Sequence, residues 1–145
     1  MDNIAGKIIG IGGIFFKTSD TENTKKWYNE HLGVKVDDWG APFVQKKVSN
    51  PDEFSFLQWS PMPSHTQYFF NDDQQFMINY RVENIEALIN QLIGAGCEIL
   101  DELQSFDYGK FIHIRDIDGR AIELWEPIDA VFVEMYNGID KVNFE

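Results

Sequence analysis

The order of strand, helix and stop signals recurs once along the chain, and that repeat restricts the available folds more than any other feature of the sequence. Residues 8–17 combine β-branched and aromatic side chains and predict a strand. Ser19 and Glu22 fit a capping box, in which each side chain satisfies the other's unpaired backbone donor. The helix that follows carries Thr24, Trp27, Tyr28 and His31/Leu32 on one face, and Gly33 supplies a stop tolerant of positive φ. A second strand at 76–82 leads through Asn84, an N-cap residue, into Ile85, Leu88, Ile89, Leu92 and Ile93 at helical spacing. Gly94 and Gly96 end that helix, and each half closes on Trp-x-Pro, at Trp59-Ser60-Pro61 and Trp125-Glu126-Pro127. Asp20 with Asn84, Gly33 with Gly96, and the two Trp-x-Pro motifs all recur at a spacing of about 65 residues. One match could arise by chance; several in order form a register.

Between helix and Trp-x-Pro each half has room for about three short strands. In the second half these are 98–100, 109–115 and 120–126, the last two joined by a turn at Asp118-Gly119. The first half is looser, with strands at 42–47 and 53–59 around Asn50-Pro51-Asp52. The chain thus reads as one domain, 1–145. It comprises a first module (8–61), a polar linker (62–75), a second module (76–127) and a tail (128–145).

Charge and cysteine usage exclude several function classes. Twelve Lys and Arg stand against 24 Asp and Glu, a net charge of −12. Such a field repels phosphate backbones and anionic headgroups, so neither nucleic acid nor a membrane is an expected partner. Cys97 is the only cysteine, which rules out an intrachain disulfide and a multi-cysteine zinc site. No apolar run approaches membrane-spanning length, and the amino-terminal residues lack a signal peptide's pattern, so a cytoplasmic location is expected.

The wording of the two halves resembles the vicinal-oxygen-chelate superfamily (glyoxalase, bleomycin-resistance and extradiol-dioxygenase proteins). Ile14-Phe15-Phe16-Lys17-Thr18-Ser19-Asp20, Trp27-Tyr28 and His31-Leu32-Gly33 are similar to its opening strand, helix and Leu-Gly stop. Residues 116–127, Asp-Ile-Asp-Gly-Arg-Ala-Ile-Glu-Leu-Trp-Glu-Pro, are similar to its closing hairpin, with Ile117 and Arg120 departing from that pattern. The resemblance implies an α+β fold. Two tandem βαβββ modules form curved mixed sheets around a cup, with helices on the convex face.

Strand alternation then assigns faces. Ile122 and Leu124, with Ile78, Tyr80 and Val82, are expected to face the helices. The cup receives Phe15, Lys17, Leu57, Trp59, Met77, Asn79, Arg81, Phe111, His113, Glu123 and Trp125. An apolar, aromatic wall with a few polar groups suits a small organic ligand.

In metal-dependent relatives four His, Gln or Glu ligands come from the first and last strands of each half. Carried over one by one, these positions are Gly13, Leu57, Met77 and Glu123. Only Glu123 carries a good donor for a hard cation, so no metal and no other cofactor is expected. The resulting reading is a glyoxalase- or bleomycin-resistance-like protein that binds a small organic molecule without the usual divalent metal. One alternative is a metal-dependent lyase or dioxygenase with a metal at Glu123. Another is a metal-free enzyme with Glu123 as catalytic acid or base, and whether the chain is an enzyme stays open. A structural alternative pairs Glu123 with Arg81 in a cup filled by side chains. Val131, Phe132, Val133, Met135 and Tyr136 in the tail are suited to cap either the domain or a partner subunit, and a homodimer is expected.

Overall fold

The two strand–helix repeats fold side by side onto one mixed sheet. The computed structural model describes residues 5–136 and 141–145. Its elements are β1 (Lys7–Thr18), α1 (Thr21–Leu32), β2 (Ala41–Lys46), β3 (Phe54–Pro63), β4 (Phe76–Glu83) and α2 (Ile85–Gly94). β5 (Gln104–Phe106), β6 (Gly109–Arg115), β7 (Ala121–Pro127) and α3 (Asp129–Met135) complete it. The strands lie in the order β2-β3-β1-β4-β7-β6-β5. The halves meet where β1 and β4, each the opening strand of its repeat, pair antiparallel. β1 pairs in parallel with β3, and β4 with β7. The sheet is curved and open.

The second half is βαβββ, but the first has only two strands after its helix among the described residues, with a lone Asp37↔Gly40 bridge before them. The strand expected at 98–100 is likewise a single bridge, Ile99↔Ile114, and the third strand of that half forms at 104–106 instead. Carbonyl and amide groups of 98–100 pair with β6 only at Glu98 and Leu100, too few to make a ladder.

Local chemistry fixes the helix ends. Asp20, not Ser19, caps α1, its carboxylate accepting from Asn23 N at 3.0 Å. Gly33 ends that helix at φ 71, a left-handed conformation that costs glycine nothing. Of the expected face only Thr24 and Tyr28 turn inward, joined by the buried Lys25; Trp27, His31 and Leu32 are exposed, Trp27 packing on His31 instead. Asn84 precedes α2 in the left-handed region, and Glu126 Oε1 accepts from Ile85 N. α2 closes on a Schellman motif, with Cys97 N bonded to Leu92 O and Gly96 N to Ile93 O.

α2 lays its apolar stripe on the convex side of the sheet. Val82, Ile85, Ile112, Ile114 and Leu124 are buried there, with Tyr80, Leu88, Ile89, Leu92 and Ile122 against them. Each such side chain contributes about 1.5–3 kcal/mol by leaving water. α1 covers the same side of the first half through Tyr28, whose ring lies 4.6 Å from that of Trp59.

α3 departs from the expected arrangement by packing on the concave side. Phe132 meets Phe56 and Trp125 there, and Tyr136 OH reaches Asp37 Oδ2 at 3.2 Å. Phe132 and Tyr136, expected to cap the domain or a partner subunit, thus cap their own domain. Beyond α3, Asn143 lies along β2: Val44 N bonds Asn143 O, and Asn143 N bonds Pro42 O. Residues 137–140 of the tail, and Met1–Ile4 of the amino-terminal segment, lie outside the described residues.

Candidate functional site

The registers of the central strands gather polar side chains on the floor of the concave face. Asn79 of β4 lies opposite Glu123 of β7, and Glu123 lies opposite His113 of β6. Paired residues on neighbouring strands point to the same side, so all three project into the cup. Their exposures are 2%, 1% and 4%.

Glu123 is surrounded by donors. Asn79 Nδ2 donates to Oε1 at 2.5 Å, and the Tyr68 hydroxyl donates to Oε2. His113 Nε2 lies 2.8 Å from the same Oε2. Its N–H is not aimed along that contact, so the approach is that of an ion pair more than a straight hydrogen bond. On the other side of the ring Nδ1 meets Asp101 Oδ2 at 2.6 Å, and the His113 amide donates to Asp101 Oδ1 at 2.8 Å. The imidazole thus sits between two carboxylates. Burial lowers its pKa, but the close charged contacts with Glu123 and then Asp101 outweigh that and raise it above the ordinary histidine value. Burial first, then the charge and hydrogen bond of Glu123, push the Tyr68 phenol far above the tyrosine range.

Around this centre Phe15 and Met77 are buried with Phe69 and Ala121. The segment joining the halves makes the cover. Phe69 is fully buried, the Phe70 ring lies 5.0 Å from His113, and Tyr68 reaches down to Glu123. The cover is pinned to the β6–β7 hairpin. Asn71 Nδ2 donates to Gly119 O at 2.9 Å and Gln74 exchanges hydrogen bonds with Ala121. Phe70 adopts φ 62, a conformation that costs a non-glycine residue about 1–2 kcal/mol and persists only where surroundings impose it.

The mouth of the cup holds a second cluster. Trp125 stacks on Phe111 at 5.6 Å, and the Arg81 guanidinium lies 5.4 Å from the Trp125 ring. Arg81 donates to Phe56 O at 3.0 Å and pairs with Asp129 of α3, not with Glu123. Lys17 stands at the rim, donating to Asp72 O at 2.8 Å. Gly12 leaves the room this side needs: a Cβ there would meet Asn79, Trp125 and Arg81 at under 3.0 Å.

Leu57 and Trp59 do not face the cup. The β1–β3 register sets Gly13 beside Gln58 and Phe15 beside Ser60. Gln58 and Ser60 therefore share the cup side, and Leu57 and Trp59 turn to the convex side, where Trp59 packs on Tyr28 and Phe16. Equating the two Trp-x-Pro motifs misplaced this strand by one residue, which reverses every side chain. Phe15, Met77, Asn79, Arg81, Phe111, His113, Glu123 and Trp125 converge as expected, and Lys17 lies at their edge. Tyr68 and Asp101 were missed. Tyr68-Phe69-Phe70 is an aromatic run in an otherwise polar linker, which was the available signal for a buried anchor. Asp101 carries no comparable mark.

The side chains at the inherited metal positions do not fit a divalent ion. Gly13 offers no donor, and Met77 is a thioether buried against Phe15 and Phe69. Leu57 faces away and leaves Gln58 on the cup side, its amide donating to Trp39 O and Ser60 Oγ. At most one amide oxygen therefore joins Glu123. The oxygens of Glu123 are turned to Asn79, Tyr68 and His113. Among the described residues no three His, Cys, Asp or Glu side chains form a metal-holding group.

The sequence model of the Glyoxalase/Bleomycin resistance protein/Dioxygenase superfamily matches residues 10–124. No curated protein matches by sequence. Among solved structures, methylmalonyl-CoA epimerase from Mycobacterium tuberculosis is 18% identical with TM-score 0.58, covering 92% of this chain and 97% of its own. A Streptomyces coelicolor methylmalonyl-CoA epimerase variant in complex with 2-nitronate-propionyl-CoA is 15% identical with TM-score 0.61, covering 83% and 99%. A superfamily member from Vibrio splendidus 12B01 is 16% identical with TM-score 0.51, covering 80% and 97%. At such identities the likeness is one of fold. No helix among the described residues is long and apolar enough to cross a membrane.

Proposed function

Because the chain belongs to the glyoxalase/bleomycin resistance protein/dioxygenase superfamily, we propose that its cup binds a small organic molecule through Glu123, Asn79 and His113 without a divalent metal. One observation carries this reading: a carboxylate only 1% exposed is kept on the floor of an aromatic concavity and surrounded by donors. A well-packed apolar residue would serve stability there at least as well, so the retained acid points to use. The donor supplied by Tyr68 comes from the covering segment, not from the sheet. A ligand hydroxyl or amine that replaces the Tyr68 hydroxyl would meet a pre-set acceptor on Glu123, flanked by Phe15 and Met77.

A second reading is a metal-free acid–base enzyme, favoured by the Asp101–His113–Glu123 chain. A carboxylate joined to an imidazole that is itself held by a second carboxylate can take a proton and pass it on.

A thermal-shift panel of small phenols, hydroxy acids and amines tests the binding reading. Hits are measured again by calorimetry after dialysis against EDTA. Binding that survives EDTA and weakens at least tenfold in Glu123→Gln is expected. Binding abolished by EDTA and restored by a divalent ion would return the metal-dependent alternative. Hits whose affinity ignores Glu123→Gln would remove Glu123 from the site. Turnover of any hit, lost in Glu123→Gln, would promote the enzyme reading. Size-exclusion chromatography with light scattering checks a homodimer, which most of the tail's aromatic residues are not free to build.

A further inference from the structure

We infer that α3 is an internal stand-in for a ligand, and that the mouth of the cup takes a small aromatic carboxylate in its place. The inference rests on the reading of the cup as a ligand site and assigns the ligand's chemical class. Asp129 and Phe132, one helical turn apart on α3, present a carboxylate and an aromatic ring to the sheet. The carboxylate pairs with Arg81, and Lys47 Nζ lies 3.1 Å from the same Oδ2 while also 3.4 Å from Glu53. The ring lies 5.5 Å from Phe56, 5.6 Å from Trp125 and 6.2 Å from Tyr108, centroid to centroid. Arg81 is buried, bonded to Phe56 O and set over Trp125. A buried guanidinium beside an aromatic box is a receptor for an anion carrying a ring. In a chain of net charge −12, two cations directed at one carboxylate are a local exception.

The stand-in fits incompletely. Both ion pairs use Oδ2, and Oδ1 is buried with no hydrogen-bond partner among the described residues. A free carboxylate can turn both oxygens toward the guanidinium fork, which Asp129 in this position does not. α3 is seven residues long, too short to hold its shape without docking, so its place on the sheet rests on this contact and on Tyr136, which stacks on Phe56 and reaches Asp37.

The test titrates the full-length chain by calorimetry with 3-phenylpropionate and its neutral amide, 3-phenylpropionamide. Asp129→Asn/Phe132→Ala should bind the acid at least tenfold more tightly than the parent, with no comparable gain for the amide. Adding Arg81→Met should abolish the gain. Equal acid affinity in parent and double variant, or acid and amide bound alike, would overturn the inference. If circular dichroism shows the double variant unfolded, hydrogen exchange on the parent decides instead. Saturating acid should speed exchange at residues 129–136 and the amide should not; unchanged exchange overturns it. Acid binding that depends on Glu123 but not on Arg81 overturns this inference alone and leaves the floor of the cup as the ligand site.

Discussion

Gly12→Ala is expected to be among the most damaging single-methyl additions the sheet can receive, and Gly10→Ala among the mildest. A Cβ at Gly12 would lie 2.3 Å from Asn79 Oδ1, 2.8 Å from Trp125 Cε3 and 2.9 Å from Arg81 Cγ. Ordinary contact begins near 3.4 Å, so Asn79 must retreat by about 1 Å. Its amide is bonded to Glu123 at 2.5 Å, and the retreat stretches that bond. Overpacking costs about 1–3 kcal/mol, and weakening a hydrogen bond to a buried charge costs about 1.5–3 kcal/mol. Together these give about 3–5 kcal/mol, a large part of the stability of a domain this size. At Gly10 the nearest atom to a new Cβ is Arg81 Cδ at 3.9 Å. There the restricted unfolded chain should leave alanine neutral or stabilising by about 0.4–1 kcal/mol. Guanidinium denaturation, followed by tryptophan fluorescence and circular dichroism, measures both. A Gly12→Ala variant within about 0.5 kcal/mol of the parent, or equal damage at the two sites, would refute the packing argument.

Three further outcomes follow from the polar floor and its surroundings. His113 has a raised pKa in the folded protein, so its pairing stabilises fully below the ordinary value of 6.5 and is lost as pH climbs through the raised value. Denaturation midpoints against pH should show that loss, and Glu123→Gln should move it to lower pH; an identical pH profile would contradict the pairing. Tyr68→Phe should cost roughly 1–2 kcal/mol through the lost donor to Glu123, and alkaline absorbance titration should lose a phenol that ionises above the usual range. Trp59→Ala should cost about 2–4 kcal/mol through lost packing on Tyr28 and Phe16, yet leave affinity for any cup ligand unchanged; a tenfold affinity loss would put Trp59 back in the cup.

The second half of the molecule was far more legible in the sequence than the first. Its helix has a full apolar stripe, its hairpin turns on Asp118-Gly119, and strict alternation in 76–82 and 121–127 assigned both faces correctly. The first half lacks those signals. Its helix buries Lys25, whose Nζ reaches Asp37 O at 3.1 Å, so the inward face carries no apolar period to read. β1 is irregular, with register shifts between Ile8 and Gly10 and between Ile11 and Gly13, so counting by twos fails across it. Trp59 was assigned by analogy with Trp125, and only the observed β1–β3 register separates them. Of the site, the sheet residues were legible because alternation is local. Tyr68, Asp101 and Asp129 were not, because each arrives from a loop or helix end whose path no periodicity encodes.

The last segment of chain changes what the borders of the sheet offer to other molecules. A strand with one unpaired side invites a further strand, from a misfolded neighbour as readily as from a partner. On one border β5 has only three residues, too few to template a ladder. The other border, β2, is twice as long, and there Asn143 takes up the free groups of Pro42 and Val44 while its side chain bonds Lys35 and Pro42. One asparagine thus acts as a selvedge. It closes the middle of the longer border against strand addition, so that border is finished by a residue of the same chain and not left open to a neighbour's strand.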